Sequence, residues 1–162
     1  MPDMPPFPSP APQASGGCAT LVLLHGGDPR ASLVALGHAQ NRPLVTVLWP
    51  SGASPAVGEE TCALGYRLFR QGALGSFDWC PLPTGHDWRQ GANAVLGAMT
   101  RDAGNALPAF VLFLSADVIP ESGCLSAMAS RLAAEPDLAG VAPLLLAPAR
   151  EGTPRRVRHL GS

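Results

Sequence analysis

A single carboxylate stands at the end of an uninterrupted apolar run. Residues 109–114 read Ala-Phe-Val-Leu-Phe-Leu, and the run ends in Ser115, Ala116 and Asp117. Continuous apolar runs of this kind are typical of strands buried in a parallel sheet. Ligands of open α/β sheets bind beyond the carboxyl ends of the strands, where one Asp can hold a divalent cation that bridges a diphosphate. Asp117 is therefore a candidate metal ligand, and the alternative is that it caps the turn into the next helix.

A second group of polar and small residues follows the first apolar run. His25, Gly26, Gly27 and Asp28 come directly after residues 19–24. Glycines in such a turn let backbone amides approach a phosphate or a nucleobase, and the alternative is an ordinary tight connection from strand to helix. The spacing lacks Gly-x-Gly-x-x-Gly, which argues against a dinucleotide site. His25 is either a ligand-facing residue or a structural residue of the turn.

The elements that must position these residues alternate along the chain. Apolar runs bounded by Gly, Pro, Asn and Asp predict strands at residues 19–24, 44–49, 76–83, 109–117 and 139–147. Helical spacing of Leu, Val, Met and Ala predicts helices at residues 29–40, 61–71, 87–103 and 120–134. Two prolines place the 76–83 strand at a sheet edge. This alternation predicts an α/β fold in three layers, built on a mostly parallel, doubly wound sheet.

Length and composition limit the class of protein. The chain has 162 residues, about one domain, with 46% hydrophobic and 14% charged residues and a net charge of −1. This balance gives no electrostatic footprint for nucleic acid. We expect residues 1–17 to form a disordered, Pro-rich arm rather than a signal peptide. No apolar run approaches the roughly 20 residues that a membrane span needs, so we expect a cytoplasmic protein.

The four cysteines are far apart and form no Cys-x-x-Cys pair. They are Cys18, Cys62, Cys80 and Cys124. Without a signal peptide, this distribution predicts reduced and mostly buried thiols, in preference to a zinc site.

Taken together, the segments resemble the N-terminal half of the family 2 glycosyltransferases, which are nucleotide-diphospho-sugar transferases of the GT-A type. The similar segments are residues 42–54, 85–93, 111–125 and 157–161. The most specific of them is 111–125, which is similar to the family's metal-binding strand and the "proline, acidic, x, Gly, aromatic, Leu" segment after it. The resemblance implies that residues 18–162 form a truncated GT-A-like nucleotide-sugar-binding domain that lacks the acceptor half.

The resemblance also implies a donor site and a metal. The donor is a nucleotide-diphosphate sugar, with Mg²⁺ or Mn²⁺ held through Asp117, which takes the place of the last Asp of the family's Asp-x-Asp motif. The residues implied for nucleotide-sugar binding are His25, Pro50, Ser51, Trp88, Arg89, Asn93 and Ser115. Two of them depart from the family pattern. Pro50 stands where the family has the Asp that reads the base, and Ser115 replaces the first Asp of the metal motif.

Two functions follow from this resemblance. The first is a glycosyltransferase, of the hexosyltransferase type, that transfers the sugar to an acceptor. The alternative is a catalytically inactive or truncated GT-A-like module that acts as a scaffold, as a homo-oligomer or as the partner of a complete transferase. Residues after Asp117 contain no Glu-Asp or Asp-Asp pair to supply the general base that an inverting transfer needs. A nucleotidyltransferase is disfavoured because the chain has no lysine for a phosphate loop.

Overall fold

The computed structural model describes residues 20–101, 108–143, 145–146 and 157–159. The elements in chain order are β1 (Thr20–His25), α1 (Arg30–Gly37), β2 (Leu44–Trp49), α2 (Pro55–Arg70), β3 (Ser76–Pro81), α3 (Trp88–Arg101), β4 (Phe110–Ser115), α4 (Cys124–Ala134), β5 (Leu145–Leu146) and β6 (Val157–His159). The Pro-rich arm expected at residues 1–17 lies outside the described residues. So does the predicted end of the third helix at residues 102–103.

Strands β1 to β4 form one parallel sheet in the order β3-β2-β1-β4. The chain steps outward from β1 through β2 to β3, and then crosses back so that β4 pairs with the other side of β1. Strands β5 and β6 form a separate antiparallel pair. The predicted parallel sheet is therefore confirmed, and so is the edge position of the 76–83 segment, where prolines are tolerated.

Helices cover both faces of the sheet. On one face, α1, α2 and α4 pack through Leu33, Leu68 and Leu125 against β1 residues such as Val22. On the other face, the apolar residues of α3 pack against residues of β1 and β2, namely Leu21, Leu23 and Leu48. Because β1 is covered on both faces, its residues from Leu21 to Leu24 are apolar without alternation. The result is a three-layer, Rossmann-like α/β architecture.

Helix α2 begins at Pro55, six residues before the predicted start at Thr61. The prediction was wrong because Pro55 was treated as a break. Proline is compatible with the first turn of a helix, where its missing N–H has no partner to lose. Gly58 also belongs to this turn, and its missing side chain lets the helix lie against the ring of Trp49.

The last predicted strand, residues 139–147, is only partly a strand among the residues that the structure describes. Residues 139–143 form no strand, and Leu145 and Leu146 form β5. Gly140 and Pro143 explain the difference, because both residue types weaken pairing within a strand.

Within the described part of the chain, no helix is long and apolar enough to cross a membrane. Three of the four cysteines, Cys62, Cys80 and Cys124, fall in this part, and all three are free and half-buried. Burial raises the pKa of each of these thiols. Cys18 lies outside the described residues.

Gly65 of α2 predicts a strong packing effect. A Cβ added there would lie 2.1 Å from a ring carbon of Phe77, whereas a Cβ at Gly97 of α3 has nothing within 4 Å. We expect Gly65→Ala to lower the free energy of unfolding by about 1–3 kcal/mol, because the ring and the helix must move apart. Gly97→Ala is the matched control, and we expect it to raise the same quantity by about 0.5–1 kcal/mol. Urea unfolding measures both, and equal effects of the two substitutions would contradict the packing of α2 on β3.

Candidate functional site

The strand order changes direction between β1 and β4. In open α/β sheets, the crevice at the carboxyl ends of two such strands is the usual ligand site. His25 ends β1 and Ser115 ends β4, and the two residues are register partners. The Ala116 N–H extends this pairing by donating to the His25 carbonyl at 2.8 Å. The two strand ends that carry predicted site residues are therefore held side by side.

His25 is stacked on Trp88, the first residue of α3. The ring centroids are 4.3 Å apart and the planes differ by 8°. The ring of Trp88 also meets that of Phe113 on β4, with the centroids 5.8 Å apart. The Arg89 guanidinium lies 5.2 Å from the centroid of the Trp88 ring, in cation–π geometry. The first turn of α3 thus covers the carboxyl end of β1 with an aromatic surface that carries a cation at its rim.

The start of α3 is fixed by a reciprocal cap. The Gln90 N–H donates to Asp87 Oδ1 at 3.0 Å, and the Asp87 N–H donates to Gln90 Oε1 at 2.9 Å. This is a capping box, which satisfies two backbone donors at a helix N-terminus. The bond from Gln90, with help from Arg89, holds the pKa of the Asp87 carboxyl below its usual value. Arg89 also pairs with Asp87 at 3.3 Å.

Asp117 lies against the glycine turn that follows β1. Gly27 has a φ of +43°, and a Cβ built on it would stand 2.7 Å from Asp117 Oδ1. A side chain at residue 27 would therefore displace the carboxylate. Asp117 is exposed and belongs to residues 115–118, which we call the Asp117 turn. The Val118 N–H closes this turn by donating to the Ser115 carbonyl at 2.9 Å.

Opposite charges act on His25 from two elements. Partial burial of the imidazole is the main cause that lowers the pKa of His25, and the positive charge of Arg89 lowers it further. The carboxylate of Asp117 opposes both effects. The site therefore favours a neutral imidazole, on which one cation of α3 and one anion of the Asp117 turn act in opposite directions.

The structure brings together five of the eight residues predicted for donor and metal binding. They are His25, Trp88, Arg89, Ser115 and Asp117. Pro50 and Ser51 follow β2, which is the neighbouring strand, and Asn93 is an exposed residue of α3 one turn after Arg89. Within residues 20–101 and 108–143, no hydrogen bond, ion pair or ring contact joins these last three residues to the stacked pair or to Asp117.

Sequence reasoning missed two members of the site. Phe113 was interpreted only as part of a buried strand, but 48% of its surface is exposed and it meets Trp88. Gly27 was interpreted as part of a turn that could approach a ligand or simply connect strand to helix, without its contact to Asp117. The signal for Phe113 was the two-residue spacing to Ser115, because residues i and i+2 of a strand share a face.

The carboxylates of the site fit a cation that is shared with a ligand, but they do not fit a cation held by protein side chains alone. Among the described residues, no three His, Cys, Asp or Glu side chains converge to hold a metal ion. A closed site made of protein ligands alone is therefore not built there. Mg²⁺ is more often bound through one or two carboxylates together with substrate phosphates. The exposed Asp117 carboxylate fits this second mode.

The lowered pKa of His25 predicts how stability depends on pH. The unfolded chain binds this proton more tightly than the folded chain, so acid favours unfolding. The contribution of His25 to the free energy of unfolding is complete above its usual pKa of 6.5, and it is lost as the pH falls toward the lower folded-state value. We expect this part of the pH dependence to be absent in His25→Phe, which keeps a flat ring against Trp88. Urea unfolding of both proteins between about pH 5 and 8 gives the free energy of unfolding as a function of pH. The same pH dependence in both proteins would contradict the prediction.

Comparison of the chain with protein-family models, with curated proteins and with solved structures found no match. The α/β class is established by the strand order and by the helices on both faces of the sheet. Because one fold hosts many functions, the function must be argued from the side chains of the site.

Proposed function

We propose that this chain is a GT-A-like domain that binds a nucleotide-diphosphate sugar at the carboxyl ends of β1 and β4, and that it acts as a glycosyltransferase. The observation that carries the proposal is the position of Asp117. Its carboxylate lies against Gly27, at the end of the strand that pairs with β1, beside the His25–Trp88 stack. Asp117 thus places one carboxylate where the strand order changes direction, next to a glycine turn and an aromatic surface.

Each part of the site has a chemical role in this proposal. Asp117 would hold Mg²⁺ or Mn²⁺ together with the diphosphate, and the bound cation would supply charge stabilisation for the leaving diphosphate. Arg89, whose side chain is largely exposed, offers a second positive charge to the same anion. Gly27 has no side chain and so leaves room for the Asp117 carboxylate beside it. Ser115, Pro50, Ser51 and Asn93 complete the proposed donor site, with the last three at its periphery.

The proposal assigns no catalytic base. Hydrogen bonds from Arg30 lower the pKa of the Asp28 carboxyl, and hydrogen bonds from Gln90 and then Arg89 lower that of Asp87. A carboxylate with a lowered pKa is a weaker base, so neither is a good candidate for this role. The function supported best is therefore donor binding, with transfer dependent on an acceptor-side group beyond the described site.

Donor binding predicts a metal-dependent gain in thermal stability. We expect UDP or GDP with Mn²⁺ to raise the melting temperature, because a ligand that binds only the folded state stabilises it. At ligand concentrations about 100-fold above Kd the gain is about 2.7 kcal/mol, or about 5–10 °C for a domain of this size. The shift should vanish in Asp117→Asn. Scanning fluorimetry with each nucleotide, with and without Mn²⁺, makes the measurement.

The matched control for this experiment is Asp137→Asn. Asp137 is another exposed carboxylate, which follows α4, so its substitution makes the same change of charge away from the Asp117 turn. The control should retain the full shift. Loss of the shift in both variants would show a general effect of charge, and absence of a shift in the unmodified chain would overturn donor binding.

The two glycines after β1 give a second, independent test. Both have positive φ, so alanine strains either position by roughly 1–2 kcal/mol. Only at Gly27 does the new Cβ meet Asp117, whereas at Gly26 nothing lies within 4 Å. We expect Gly27→Ala to weaken Mn²⁺-dependent nucleotide binding and Gly26→Ala to leave it nearly unchanged, as measured by titration calorimetry. Equal affinities for the two variants would contradict the role given to the Gly27–Asp117 contact.

One observation favours the alternative function of a non-catalytic partner module. Val111 and Phe113 are 37% and 48% exposed on the same face of β4, the outermost strand on that side of the sheet among the described residues. Exposed apolar pairs on a sheet edge are typical of protein contacts. If no nucleotide shifts the melting temperature and the mass in sedimentation rises with concentration, a scaffold or a homo-oligomer replaces donor binding as the better function.

A further inference from the structure

Ser32 joins helix α1 to the Asp117 turn. It is the third residue of α1 and has no exposed surface. Its hydroxyl lies 2.9 Å from the Ala116 carbonyl oxygen and 2.9 Å from the Val118 carbonyl oxygen. One hydroxyl proton is thus shared between two acceptors that lie 84 and 86 residues further along the chain.

The two acceptors flank Asp117. The Ala116 carbonyl belongs to the peptide group that precedes Asp117, and the Val118 carbonyl belongs to the second peptide group after it. The N–H groups of the same turn are already used, because Ala116 donates to His25 and Val118 donates to Ser115. The Ser32 hydroxyl holds the peptide plane before Asp117 through the Ala116 carbonyl, and the Val118 N–H holds the plane after Asp117 through its bond to Ser115. Two fixed planes fix the direction of the Cα–Cβ bond between them. The hydroxyl of Ser32 therefore restricts where the Asp117 carboxylate points.

A buried hydroxyl near a helix start has a simpler alternative. Ser and Thr side chains commonly donate to a carbonyl one turn back in their own helix. Thr61 does this in α2, where its hydroxyl donates to the Val57 carbonyl. Ser32 instead bonds across to the Asp117 turn. The hydroxyl of Thr61 thus serves its own helix, whereas that of Ser32 serves the candidate site.

We propose that Ser32 is a positioning residue, which sets the orientation in which the Asp117 carboxylate meets a divalent cation bound with a nucleoside diphosphate. This inference rests on the proposed function. Groups that orient a ligand residue through hydrogen bonds typically change metal affinity by about 10–100-fold when they are removed. Because Ser32 acts on the backbone and not on the carboxylate itself, we expect the lower end of this range.

The test compares Ser32→Ala with Thr61→Val. Both substitutions remove one buried hydroxyl, and both are expected to lower the melting temperature. Binding of Mn²⁺ in the presence of UDP or GDP is followed by the electron paramagnetic resonance signal of free Mn²⁺, at a temperature where all variants are folded. We expect Ser32→Ala to weaken Mn²⁺ binding about 10-fold, and Thr61→Val to leave the affinity equal to that of the unmodified chain.

A third variant keeps the test decisive if Ser32→Ala does not fold. Ser32→Cys retains a donor of similar shape, but a thiol is a weak donor. It should weaken Mn²⁺ binding in the same direction, by less than the alanine variant does. Unchanged Mn²⁺ affinity in the Ser32 variants, or equal losses in the Ser32 and Thr61 variants, overturns the positioning role while leaving the proposed function intact. Failure of the unmodified chain to bind Mn²⁺ with either nucleotide overturns both proposals.

Discussion

The pairing of β4 with β1 is the constraint on which the site depends. Without it, Asp117 and the glycine turn would lie on unrelated segments of the chain. The pairing runs from Thr20 and Phe110 to His25 and Ser115, and it is stabilised from both faces, by α4 and the other helices of its layer on one side and by α3 on the other. Parallel strands have their carboxyl ends at the same edge of a sheet. The polar residues that follow β1 and β4 therefore lie close together at this edge.

The helices then fix the positions of the residues that lie at this edge of the sheet. The capping box of α3 fixes Trp88 and Arg89 over the end of β1, and the first turn of α1 reaches the Asp117 turn through Ser32. Layers on opposite faces of the sheet thus act on the same edge. The charges that act on His25 are Arg89, which lowers its pKa, and Asp117, which raises it. A site with one carboxylate, and without a closed set of protein ligands in the described part of the chain, suits a cation that arrives with its phosphates.

Much of the fold could be predicted from the sequence, because continuous apolar runs and glycine or proline boundaries mark buried strands directly. The strand before Asp117 and the edge position of β3 are examples. The start of α2 could not be predicted in this way, since Pro55 is compatible both with a break and with a helix N-terminus. The site was predicted from strand ends and from the start of one helix, but contacts between distant segments have no local signal in the sequence. Nothing near Gly27 in the sequence indicates Asp117, and nothing near Ser32 indicates the Val118 carbonyl.

The most direct test of the account is a crystal structure of the chain grown with Mn²⁺ and UDP, and a second with GDP, using anomalous scattering to locate the cation. The account predicts a Mn²⁺ peak within coordination distance of an Asp117 carboxylate oxygen, with the diphosphate on its other side and the glycine turn of residues 26 and 27 close by. A peak elsewhere on the surface, or a nucleotide bound away from the ends of β1 and β4, would contradict it.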